Sequence, residues 1–186
     1  MTTISGRVVV FLGVVALGCT ETPDRGVTGP NAPSARFDRV DAMASGAQQR
    51  VTGYATILLP FFQNAEEKYS NSAIRHADGT VSGEFELKSA QAGGLRIHGD
   101  IVCFTVVGTT AYLGGRIDQS DTPLAPEGTY AMWTVFDNGE GQNDPPDQTS
   151  DFITPVNAAT AAAHCQFLFN LGPFYPVVHG NLQVHE

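Results

Sequence analysis

Two stretches of this sequence gather side chains that could do chemistry. In "HGDIVC", His98, Asp100 and Cys103 fall within six residues, a mixture that suits zinc or an activated nucleophile. Adding the adjacent pair His164 and Cys165 would complete a zinc set of His98, Cys103, His164 and Cys165. Chain neighbours are awkward co-ligands, however, and the alternation of "LRIHGDIVCFTVV" sends His98 and Cys103 to opposite faces of an unbulged strand. A bulge at Gly99 could bring them together, but nothing demands one. The simpler reading has Cys103 as a core-facing half-cystine and His98 as a rim residue bonded locally.

The second stretch, "DNGEGQNDPPDQTSD", concentrates oxygen donors in one glycine-rich loop. Calcium takes such donors, so Asp137, Asn138, Glu140, Asp144, Asp147 and Asp151 are its candidate ligands, and a metal-dependent enzyme built on this loop is one reading of the chain. The spacing is not that of an EF-hand. Asp and Asn equally cap backbone amides in turns, and Pro145 and Pro146 stiffen the path. Without a ligand register, the loop reads more simply as a solvated turn.

Other catalytic machinery does not assemble along the chain. The histidines, His76, His98, His164, His179 and His185, are scattered, and no serine lies in a Gly-x-Ser-x-Gly setting. Trp133 in "YAMWTVF" belongs in a core. Phe174 and Tyr175 in "LGPFYP" lie between prolines, which makes them a candidate contact surface for a glycan or a cell-surface protein, or else a plug closing one end of a barrel.

What positions these residues follows from the rest of the text. At 186 residues and 42% hydrophobic, the chain suits one domain with a sizeable core. A formal charge of -9 with no basic run excludes nucleic acid as a partner and favours cationic or basic ligands. "MTTISGRVVVFLGVVALGC" has the form of an export signal, with Arg7 before an apolar run, Val8 to Leu17, too short to span a bilayer. Its end, "VALGC", resembles the lipobox of bacterial lipoproteins, although Ala16 stands where Leu is usual. Residues 1–18 are then a signal peptide, Cys19 is lipidated and anchors the protein to the periplasmic or outer face of a bacterial membrane, and residues 19–44, rich in Pro, Gly and Thr, form a flexible tether. With Cys19 so assigned, Cys103 and Cys165 remain as the pair able to form a disulfide in an oxidising compartment.

From residue 45 to 186 the chain reads as short strands between turn signals. "YATILL" is a first strand. "KYSNSAIRHA" and "TVSGEFELKS" flank Asp78 and Gly79 as a hairpin, and "LRIHGDIVCFTVV" and "AYLGGRIDQS" flank "GTT". "GTYAMWTVFD", "FITP", "CQFLF" and "HGNLQVHE" follow, and Gly114 and Gly115 mark a bend or a close approach. Only "NAATAAAHCQ" has helical propensity. The expectation is an all-β fold: a single antiparallel β-barrel or β-sandwich with at most one short helix.

The ordered motifs "DGTVSGEFEL", "HGDIVCFTVVGTTAYLGGRI", "WTVFDNGEG", the later "HC" and "GNLQVH" are similar to those of an uncharacterised family of exported bacterial β-domains. The resemblance covers about Asp78 to Glu186. It implies one compact β-domain with cysteines matching Cys103 and Cys165, and it brings no established activity. "GTT", where Asn usually follows the turn glycine, and "NAATAAA" before Cys165 depart from the pattern. The function expected is therefore a non-catalytic binding or structural module without a cofactor, lipid-anchored outside the cytoplasm, with a small-ligand-carrying β-barrel as the alternative.

Overall fold

A computed structural model describes residues 48–90, 94–141 and 143–186. The expected signal peptide and tether, with Cys19, lie outside the described residues. Among the described residues ten strands occur: β1 (Arg50–Leu59), β2 (Ala65–Arg75), β3 (Val81–Ser89), β4 (Leu95–Val107), β5 (Thr110–Ser120), β6 (Tyr130–Phe136), β7 (Gln148–Ser150), β8 (Ile153–Val156), β9 (Phe174–Pro176) and β10 (His179–His185). They form one antiparallel sheet in the order β10-β1-β2-β3-β4-β5-β6-β7-β9, with β8 on β6, curled into a half-barrel. The protein is thus all-β, with a single sheet rather than the two of a sandwich.

Turn chemistry sets the hairpins. Between β2 and β3, Gly79 takes φ +84°, a conformation that costs glycine little, and Asp78 Oδ1 accepts the Thr80 N–H at 2.9 Å. Between β4 and β5, Gly108 takes φ +59°. The two ends of the sheet are joined by the chain itself. Val177 and Val178 carry it from β9 to β10, and on the way Val178 N–H donates to Thr56 O of β1 at 2.8 Å.

The core is aromatic at its centre. Trp133 stacks on Phe152 with ring centroids 4.4 Å apart, and Phe85 lies 5.1 Å from Trp133. Tyr69 meets the edge of Phe152 at 5.5 Å. Burying each such side chain is worth about 2–3 kcal/mol. Gly99 and Gly115 make room for Phe85, since a Cβ at either position would collide with its ring.

β4 departs from the alternation expected of it. Its pairing with β5 shifts register between His98 and Gly99 and again between Ile101 and Cys103, and the second shift reverses the inward face. Ile97 and Ile101 are buried before it, Phe104 and Val106 after it. Cys103 therefore does not face the core, as regular alternation predicts, but lies on the outer side of the sheet.

There it meets the helix α1 (Ala158–Phe167). Asn157 caps α1 by accepting the Thr160 N–H at 2.9 Å, and Leu168, with φ +57°, ends it by donating its N–H to His164 O. The expected strand "CQFLF" is instead the last turn of this helix and its exit. Cys165 bonds to Cys103, closing a 62-residue separation, worth about 4 kcal/mol in the chain-entropy view. Gly114 on β5 lets α1 approach, because a Cβ there would lie 2.7 Å from Cys103 Sγ and 3.3 Å from Ala161 Cβ.

Candidate functional site

The acidic loop connects β6 to β7, and its carboxylates are bonded to backbone amides. Asp147 is 6% exposed. Its Oδ1 accepts the Asn138 N–H at 2.9 Å and its Oδ2 accepts the Leu182 N–H at 2.8 Å. Asp137 accepts the Gly139 N–H with Oδ1 and the Val184 N–H with Oδ2, both at 2.9 Å. Leu182 and Val184 alternate on β10, whose other edge pairs with β1, so these two N–H groups point away from the sheet. A strand edge left bare is a liability. Here two aspartates stand in for the missing neighbouring strand.

The remaining candidate ligands of the loop are similarly engaged. Glu140 Oε1 accepts from Asn181 Nδ2 at 3.0 Å and Gln183 Nε2 at 2.6 Å. Asp144 Oδ2 accepts the Gly141 N–H, and Asn138 Nδ2 donates to Pro146 O. Among the described residues no three His, Cys, Asp or Glu side chains converge as a metal would require. Of the six expected oxygen donors, the five from Asp137 to Asp147 are hydrogen-bonded within the loop or to β10, while Asp151 lies apart from them against Glu67.

Asp151 pairs with Glu67 of β2, a residue that the sequence reading passed over. Alternation puts Glu67 on the same face of β2 as Tyr69, Asn71 and Ala73, and it is 1% exposed. The two carboxyl groups lie within hydrogen-bonding reach of each other, and the Ser89 hydroxyl also bonds Glu67. Burial, and then the charge of Asp151, push the Glu67 carboxyl up to about 8. Burial raises Asp151 as well, against the opposing pull of the Phe152 N–H, which donates to its Oδ1 at 2.7 Å. Like charges this close cannot both ionise cheaply, so at neutral pH one proton is shared, held by Glu67. Glu67 Oε1 has no hydrogen-bond partner within the protein.

The pair lies in the wall of a cavity of about 160 Å³. Leu87, Leu95, Leu124 and Phe152 supply apolar lining, and Thr154 adds a hydroxyl. Titratable groups that converge with perturbed pKa values in a recess make it a candidate binding site. The signal available in the sequence was an acid in phase with the apolar residues of a strand, at Glu67 in "AEEKYSNSA".

A second concavity, about 370 Å³, is open and polar, lined by Arg96, His98, Gln119, Ser120, Asp121 and Glu127. Several of its groups are paired, while His98 Nδ1 is buried without a hydrogen-bond partner. Arg96 Nη2 lies 2.6 Å from Glu86 and the Arg96 N–H donates to Asp121, while His98 Nε2 lies 3.5 Å from Glu84. Of the proposed zinc set, His98 is therefore on the rim, and Cys103 and Cys165 are joined to each other. His164 is a buried residue of α1, with Nε2 2.9 Å from Trp133 O, and its pKa is lowered by burial.

Phe174 and Tyr175 form part of β9 rather than an open loop. Tyr175 is 8% exposed and packs with Ile57 and Leu59, and Phe174 meets the Phe136 ring edge-on at 4.6 Å. No family model matches this chain, and neither a curated protein nor a solved structure does.

Proposed function

We propose that this protein is an exported β-domain, anchored by lipid on Cys19, that works as a non-catalytic binding module outside the cytoplasm. The filled interior carries the choice of function. Trp133, Phe85, Phe152 and Tyr69 occupy the centre of the half-barrel, so a ligand is met beside this packed centre rather than in it. The anchor rests on the "VALGC" text, and the bond between Cys103 and Cys165 supports an oxidising compartment. The resemblance to exported bacterial β-domains points the same way, and a cell-surface protein or glycan is the partner class this location offers.

Two experiments test this reading. Full-length protein produced in bacteria given labelled palmitate should take up label in the membrane fraction, with Cys103 and Cys165 oxidised, and Cys19→Ala should abolish the labelling. Unlabelled, reduced protein in the cytosol would overturn the location. Separately, the folded protein should leave the fluorescence of a naphthylamine hydrophobic dye unchanged. Saturable uptake by the native state would favour the barrel carrier instead.

A further inference from the structure

The strongest unassigned feature is the cavity beside Glu67 and Asp151. Its chemistry is specific: two carboxyl groups in contact, one oxygen of a 1% exposed residue left without a partner, and a collar of Leu87, Leu95, Leu124 and Phe152. A buried polar atom without a partner costs free energy that a ligand could recover. The other ionisable groups acting on the pair are also acids: Tyr175 from β9 is near both carboxyls, and Tyr69 follows Glu67 on β2 with Asp147 beyond it. Among the described residues no Lys, Arg or His acts on either carboxyl.

We propose that this cavity is a binding site for a small organic cation, an alkylammonium group whose charge meets Glu67 and Asp151 and whose carbon chain lies against the leucine collar. The inference rests on the binding-module reading and supplies its ligand class. A cation takes the place of the proton that Glu67 and Asp151 share, so both carboxylates ionise against it. An anion would be repelled, and a hard divalent ion, which takes six to eight oxygens, would find two carboxyls, Ser89 and Thr154 set among hydrocarbon. The chain's net charge of -9 draws cations toward the protein from a distance.

The test uses the intact protein with n-butylammonium chloride as the probe and n-butanol as its neutral counterpart, followed by calorimetry and by the ¹³C carboxyl resonances of Glu67 and Asp151. Butylammonium should bind saturably and shift both resonances. Its affinity should rise about tenfold per pH unit below the Glu67 transition, since each binding event releases one proton. Glu67→Gln, which keeps the fold and removes a charge, should weaken binding at least tenfold at pH 8 and abolish the proton release. Asp151→Asn, whose amide oxygen can still accept the Phe152 N–H, should weaken it similarly.

Equal binding of butanol and butylammonium, or binding that ignores both substitutions, would overturn the cation site. So would the absence of any shift at pH 8. None of those results touches the membrane labelling, so a failed cation site and a failed anchored module remain distinguishable.

Discussion

The acidic loop and the Glu67–Asp151 pair are both clusters of carboxyl groups, and they do opposite things. In the loop, Asp147 and Asp137 each take two backbone N–H groups, and four donors satisfy four oxygens. In the cavity, two carboxyls face each other, and one oxygen of Glu67 is left over. The loop looks functional in the sequence because its acids are dense. The pair looks ordinary because its members are 84 residues apart. Density along the chain reports little about whether a carboxylate is free to act. What matters is how many donors the fold has already given it.

The contrast is broken most severely at Asp147. Asp147→Ala removes two charge-assisted hydrogen bonds and leaves the buried Leu182 N–H without an acceptor. At about 2 kcal/mol for each such bond, the substitution should cost about 4 kcal/mol, read as a lowered urea midpoint. Exchange of the Leu182 and Val184 amides should accelerate before that of β3. Unchanged stability would mean that β10 does not need its carboxylate neighbour.

Glu67→Gln should act in the other direction. Folding raises the Glu67 pKa from its ordinary 4.5 to about 8, so between those values the folded protein holds a proton that the unfolded chain has released. The contribution of this group is full below about pH 4.5 and is lost as pH rises through 8, at about 1.4 kcal/mol per unit. Asp151, also raised, has the same sign. His164, whose pKa is lowered, opposes them by losing stability as pH falls below its ordinary value near 6.5. Glu67→Gln should therefore raise stability by about 4 kcal/mol at pH 8, change it little at pH 4.5, and flatten the alkaline limb of a urea titration. A parallel curve for both proteins would mean that Glu67 does not titrate in this window.

Most strands were legible because turn residues punctuate them. "DG" before "TVSGEFELKS" and "GTT" after "LRIHGDIVCFTVV" mark hairpins that the register confirms. Helical propensity in "NAATAAAHCQ" and the partnership of Cys103 with Cys165 were legible too, from alanine content and cysteine count. What alternation could not supply was the break in it. The second register shift in β4 turns Cys103 outward to α1, and no residue type near Ile101 announces it. β7 and β9 are three residues each, shorter than any period that reveals a strand. The seam and the cavity were illegible for another reason: both join segments distant in sequence, and local pattern carries no information about which distant segments meet.

The loop offers two smaller tests. Asp137→Ala releases the partly buried Val184 N–H and should cost about 1.5 kcal/mol. Glu140→Ala is the more instructive, because Glu140 accepts as many hydrogen bonds as Asp147. Both of its donors, Asn181 Nδ2 and Gln183 Nε2, belong to bonds at the exposed surface, where water replaces a lost acceptor at little cost. The expected change is below about 0.5 kcal/mol. If Glu140→Ala instead cost as much as Asp147→Ala, the number of hydrogen bonds, rather than the burial of the donor, would set the worth of a carboxylate in this seam. The leftover oxygen of Glu67 would then lose its energetic distinction from the saturated oxygens of the loop.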